Sequence, residues 1–166
     1  MPIKTLQDLF IHELSDISNA EKQLTRALPR LARAADNPGL AAAFETHLEE
    51  TRGQIERIDT LVEGSDLRLK RVKCAAMEGL IEEARETLDE IGKGPVRDAA
   101  LIAAAQRVEH YEIAVYGTLV ALAKQLGQDE HARLLHETLV EEKATDEKLT
   151  TLAKSPQGNP RAAQVG

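Results

Sequence analysis

Four long stretches of this chain repeat their apolar residues every three or four positions, and a chain patterned in that way folds into packed helices. From Ile3 to Ala35 the residues Leu6, Phe10, Leu14, Ile17, Leu24, Leu28 and Leu31 fall on one helix face. Pro29 lies near the end of this segment, where it predicts a kink or an early stop. Asp36, Asn37, Pro38 and Gly39 spell a turn, with Asn37 placed to cap a helix whose first residue is Pro38. The second segment runs to about Val62 on Leu40, Phe44, Leu48, Ile55, Ile58 and Leu61, and Gly64 is its natural stop. The third spans Val96 to Leu126 before Gly127, and the fourth spans Asp129 to Ala153. Strand patterns are absent.

Turns as tight as those near residues 36 and 127 make each consecutive pair an antiparallel hairpin. The hairpins are joined by residues 65 to 95, a crossover holding one shorter helix from about Cys74 to Ile91, ended by Gly92, Gly94 and Pro95. A bundle of alternating direction needs no such span, whereas a ferritin-like bundle does. The expected fold is therefore all-α: a ferritin-like four-helix bundle of two antiparallel hairpins, with a short fifth helix in the long crossover, over residues 1 to 154. Residues 155 to 166 are rich in Ser, Pro, Gly and Gln and read as a disordered tail.

Composition narrows the function. A length of 166 residues is that of one domain with one core. The net charge of -7 opposes binding to phosphate backbones or anionic lipid, so nucleic acid is not the expected partner. No apolar run approaches the ~18 residues that a membrane span needs. The single cysteine, Cys74, cannot form an intrachain disulfide, and the start lacks the pattern of a secretory signal, so a reducing cytoplasm is expected.

The informative residues are polar ones in apolar stripes. On the third helix Ile102, Ala105, Glu109, Glu112, Tyr116, Leu119 and Ala123 share a line, which puts two carboxylates inside the seam. On the fourth, Leu135, Leu139, Glu142, Asp146 and Leu149 share a face, so Glu142 and Asp146 are expected to point inward as well. His47 and Gln54 lie within the broad face of the second helix, and Glu50 falls at its edge. Glu21 is the best inward acid of the first helix, with Asp16, at the border of the face, as its competitor. Antiparallel pairing sets Glu21 level with position 50 and Glu112 level with position 142, so acids from all four helices meet at mid-height.

One inward Glu in a bundle is commonly a long side chain reaching for water. Several at one level must share protons, pair with cations or hold a metal. Arg52, Arg107 and Lys143 lie off the stripes and cannot supply the counter-charge. The phases of His110 and His136 place them away from the core, and His12 and His131, near helix starts, are expected in solvent. Tyr116, one turn beyond Glu112, is either packing or a hydrogen-bond donor to a ligand carboxylate. Cys74 reads as a structural thiol.

The stretches LFIHELSDISNAEKQLTRALPRLARAA, HLEETRGQIERI, CAAMEGLIEEA, RDAALIAAAQRVEHYEIAVYGTL and LVEEKATDEKLTTLA closely resemble the YciF/YciE family of bacterial stress-response proteins, over residues 3 to 153. The resemblance implies a rubrerythrin-like bundle, a homodimer and a two-metal centre, with no established reaction. Glu109 and Glu112 match the Glu-x-x-Glu of rubrerythrin-type centres, and Glu50 and Glu142 match the ligand positions of the second and fourth helices. The usual Glu-x-x-His is missing twice, since Gly53 and Thr145 stand where the histidines would be. Gln54 and Asp146 are the substitutes one position on, and His47 restores one nitrogen. An oxygen-rich set of this kind shifts preference toward hard cations such as Mn.

Two functions follow as expectations. The first is a stress-response protein holding two divalent metal ions, Fe or Mn, that react with dioxygen or peroxide. The second is a non-catalytic helical homodimer whose buried acids serve structure or partner binding.

Overall fold

Thr5 and Asp8 set the true start of the first helix, three residues inside its apolar pattern. The Thr5 hydroxyl accepts from the Asp8 N–H, and the Asp8 carboxylate accepts from the Thr5 N–H in return, a reciprocal cap that satisfies helix-end donors. In this computed structural model, which describes residues 2–154, α1 is Leu6–Ala34, α2 Pro38–Glu63, α3 Ala75–Glu90, α4 Pro95–Gln125 and α5 Asp129–Lys154. No strand occurs among the described residues, and the tail expected over 155–166 lies outside them.

Pro29 neither stops nor shortens α1, which continues for five more residues to Ala34. Leu28 and Leu31, on either side of it, are buried, and that packing outweighs the one helix bond a proline removes. Asn37 caps α2 as its residue type demands, accepting from the Gly39 N–H at 2.7 Å, with Pro38 as the first helical residue. Gly127 adopts φ 69° in the turn after α4, a left-handed conformation that glycine takes without the Cβ clash of other residues.

The long helices pack as two hairpins, α1 on α2 and α4 on α5, and the hairpins meet through α1 with α4 and α2 with α5. Relative direction is fixed at both ends. The buried Asp98 carboxylate, at the start of α4, accepts from the backbone N–H groups of Asp36 and Asn37 at 2.8 Å each, tying it to the end of α1. Beyond the far end of α4, the Gln128 side-chain amide donates to Gln7 at the start of α1. Hence α4 runs antiparallel to α1 and parallel to α2, a geometry that only a crossover spanning the whole length can connect.

That crossover lies along α1 and α4. Its extended part is pinned by Lys70 N–H to Ser15 Oγ and by Cys74 N–H to Asn19 Oδ1. α3 then lies over the seam between α1 and α4, burying Met77, Ile81 and Ala84. Among the described residues, no comparable element covers the seam between α2 and α5. No helix is long and apolar enough to cross a membrane among the described residues.

Candidate metal centre

Each long helix sends at least one polar side chain into the middle of the core. The α4 stripe read from spacing is buried throughout, and Glu109 and Glu112, three residues apart on it, are wholly enclosed. α5 contributes Glu142, also wholly enclosed, and α2 contributes His47 at 3% exposure. Ligating atoms of His47, Glu109, Glu112 and Glu142 all lie within 4.8 Å of one another. His47 Nε2 stands 3.1 Å from Glu109 Oε1 and 3.8 Å from Glu142 Oε2.

Electrostatics make this group costly as it stands. Burial first, then the neighbouring Glu142, pushes the Glu109 carboxyl well above its ordinary range. Glu112 is raised in the same way by burial and by the charges of Glu142 and Glu21. Burial and Glu142 carry Glu21 up to about 8, against the opposing effect of its hydrogen bonds. His47 moves down, because loss of hydration outweighs the attraction of Glu142 and Glu50, so it too favours its neutral form. Among the described residues, nine buried side-chain atoms make no well-aligned hydrogen bond, and they belong to six residues: Glu21, His47, Gln54, Glu109, Glu112 and Glu142. Native interiors leave few such atoms, because each costs about 1–3 kcal/mol. A divalent cation could take one ligand atom from each of His47, Glu109, Glu112 and Glu142, and these donors, three oxygens and one nitrogen, suit a hard or borderline ion.

The other expected residues fall around this set. Glu21, not Asp16, is the α1 acid at the cluster; it is wholly buried and accepts a 2.5 Å hydrogen bond from the Tyr116 hydroxyl. Tyr116 is thus a donor to a core carboxyl as well as a packed ring. Asp16 instead accepts from Tyr111 at the edge, where the Tyr111 hydroxyl also meets the Cys74 thiol at 3.1 Å. Gln54 is buried, but its amide nitrogen donates to Glu141, which is itself clamped by Arg57 at 2.8 Å. Glu50 is half-buried and accepts from the Thr145 hydroxyl at 3.0 Å, so α2 reaches the cluster through His47.

Asp146 does not point inward. It sits on the flank of α5, where it accepts from Gln106 and pairs with the exposed His110. The inward series on α5 runs Leu135, Thr138, Leu139, Glu142, Thr145, Leu149, stepping by three after Glu142 instead of four. Both steps are allowed by a 3.6-residue turn, and the face is turned toward α2, where Thr145 finds Glu50. His131 also departs from expectation: its ring stacks on Phe10 at 6.3 Å between centroids, away from the cluster. Asp98 and Arg57 were not legible as functional positions, and nothing in their spacing marks the partners they reach across the fold.

Two spaces approach the cluster. Between α2 and α5 lies an open groove of about 620 Å³, floored by small residues such as Ala43 and Ala144, with Glu50, Thr145 and His47 in its wall. Beneath α3 lies a smaller, apolar cavity that ends at His47 and Glu109.

Fold and site together define an all-helical protein with an enclosed histidine and carboxyl group of metal-binding composition. The chain belongs to the family described as a domain of unknown function, DUF892, whose sequence profile matches residues 5–162. It is 66% identical over 154 residues to the protein YciF of Escherichia coli (strain K12), which covers 92% of this chain and 93% of that one. The crystal structure of that E. coli stress protein superposes with a TM-score of 0.89, over 91% of this chain and 96% of the other. YcfI of Rhodopseudomonas palustris, a proposed structural protein, is 49% identical with a TM-score of 0.86, over 90% and 95% of the two chains. A Xanthomonas campestris protein keeps the fold at 22% identity, with a TM-score of 0.70 over 90% of each chain.

Proposed function

We propose that this is a stress-response protein in which four long helices form a ferritin-like bundle around a dinuclear Fe or Mn carboxylate site that meets a small oxidant, dioxygen or peroxide. The observation that carries this reading is the set of nine unpartnered buried polar atoms on residues from all four helices. His47, Glu109, Glu112 and Glu142 would hold the first ion. Glu21, lying against Glu112, and Glu50, one turn from His47, are the carboxylates nearest to hand for a second. A bound metal of this type supplies Lewis acidity and exchange of electrons with the oxidant. The chain's own residues orient the ligands, with Tyr116 holding Glu21, while the apolar stripes keep bulk water out. We further propose a homodimer in a reducing compartment.

Elemental analysis of untagged protein, followed by anaerobic Fe(II) and Mn(II) titration, tests the proposal. About two ions per chain are expected, with uptake abolished in the double variant Glu109→Gln and Glu142→Gln. A protein that binds no metal at any concentration offered overturns it. The second reading, a non-catalytic structural or partner-binding dimer, then takes its place, supported by the raised carboxyls, which burial holds toward their neutral form.

A further inference from the structure

We propose that the cavity enclosed by α1, α3 and α4 is a binding site for a small apolar molecule of about the size of dioxygen. The cavity measures about 50 Å³, several times the ~10–15 Å³ that a single water needs. Its walls are alkyl groups, among them Leu28 on α1, Ala84 on α3 and Ala104 and Ala105 on α4, and its inner end is closed by His47 and Glu109. Water in a cavity requires two to four polar partners, and most of the residues lining this one are aliphatic. Of the three arginines in its lining, Arg30 and Arg85 already face Asp89 and Glu82, and Arg26 is exposed to solvent. The space exists because α3 and α4 face it with alanines: Ala84, Ala104 and Ala105 are all buried, and larger side chains there would fill it. α3 supplies the outer wall, which gives the crossover helix a role beyond connection. The guest is thereby held beside the His47 imidazole and the Glu109 carboxyl, which lie 3.1 Å apart.

That the guest is the oxidant rests on the metal-centre reading; that the cavity binds it does not. Crystals of the full chain, with no metal added, are pressurised with xenon, which occupies apolar cavities. In parallel, NMR relaxation of alanine and leucine methyl groups is followed as dissolved dioxygen is raised. Xenon density beside Ala84 and Ala105 is expected, together with faster relaxation of those methyls than of the buried Leu61 methyls, which lie outside the cavity. Ala84→Leu should abolish both signals. Ala105→Val serves if the first variant does not fold. No xenon peak and no selective relaxation in the wild type, or signals undiminished in both filled variants, overturn the inference. Metal uptake without xenon overturns the cavity alone. Xenon binding in a chain that takes up no metal supports the site and overturns the oxidant role.

Discussion

The seam between α1 and α4 and the seam between α2 and α5 flank the same carboxyl cluster, yet they are finished in opposite ways. The first is roofed by α3 over a largely aliphatic cavity, and there Glu21 meets the cluster, accepting a short bond from Tyr116 and lying against Glu112. The second has no such cover among the described residues, is lined by small residues, and carries Glu50 and Thr145 in the wall of a groove. On the metal-centre reading, the difference teaches that the two reactants would need two kinds of access. A cation arrives with water around it and needs oxygen donors on the way in, whereas an apolar reactant partitions into alkyl walls without them. On the same reading, the alkyl-walled side and the polar-rimmed side would each admit one of the two.

The sharpest way to break this contrast is through pH on the metal-free protein. Glu21 rises from its ordinary value of 4.5 to about 8 when folded, so between these values the unfolded chain is ionised there and the native state holds a proton. The native state then binds more protons, and stability falls as pH rises through that window. Metal-free protein should therefore melt at a clearly lower temperature at pH 8 than at pH 5, by several kcal/mol in unfolding free energy. Glu21→Gln should make the profile shallower, with the raised Glu109 and Glu112 carboxyls keeping the remaining slope. A metal-free protein whose stability rises over that range would refute the dry description of the α1/α4 side. Added metal should oppose the trend, because it displaces those protons.

Smaller effects refine the comparison. Tyr116→Phe removes the donor to Glu21 and leaves a buried oxygen unpaired, which should cost about 1–3 kcal/mol by denaturant unfolding. On the open side, Glu50→Gln should change stability by less than about 1 kcal/mol, since its bond to Thr145 is only half-buried, but stopped-flow titration should show slower Mn(II) uptake. An unchanged uptake rate would show that the groove is not the cation's route. Least of all, Asp146→Asn should leave metal stoichiometry unaltered and stability within about 0.5 kcal/mol, because its partners His110 and Gln106 lie on the flank.

Much of this arrangement was legible in the spacing of residues. The α4 stripe placed Glu109, Glu112 and Tyr116 on one buried line without any knowledge of neighbours, because a long helix with apolar residues at fixed intervals has only one way to turn its face inward. α5 was harder to read. Thr145 and Asp146 are adjacent, both steps from Glu142 are allowed by a helix, and an acid beside a threonine is the natural choice when ligands are sought. Only the position of Glu50 on α2 shows which one faces in.

Helix periodicity and turn chemistry are local, so the number of helices, their caps and their inward faces are written in the chain itself. Thr5, Asn37 and Gly127 do their work within a few residues of where they stand. The choice between Asp16 and Glu21, the pairing of Asp98 with the α1–α2 turn, the preference for His47 over Glu50 and the cavity beneath α3 are decided elsewhere. They depend on the height and rotation of one helix against another, which are set by packing between side chains far apart in sequence. No periodicity within a single helix carries that information.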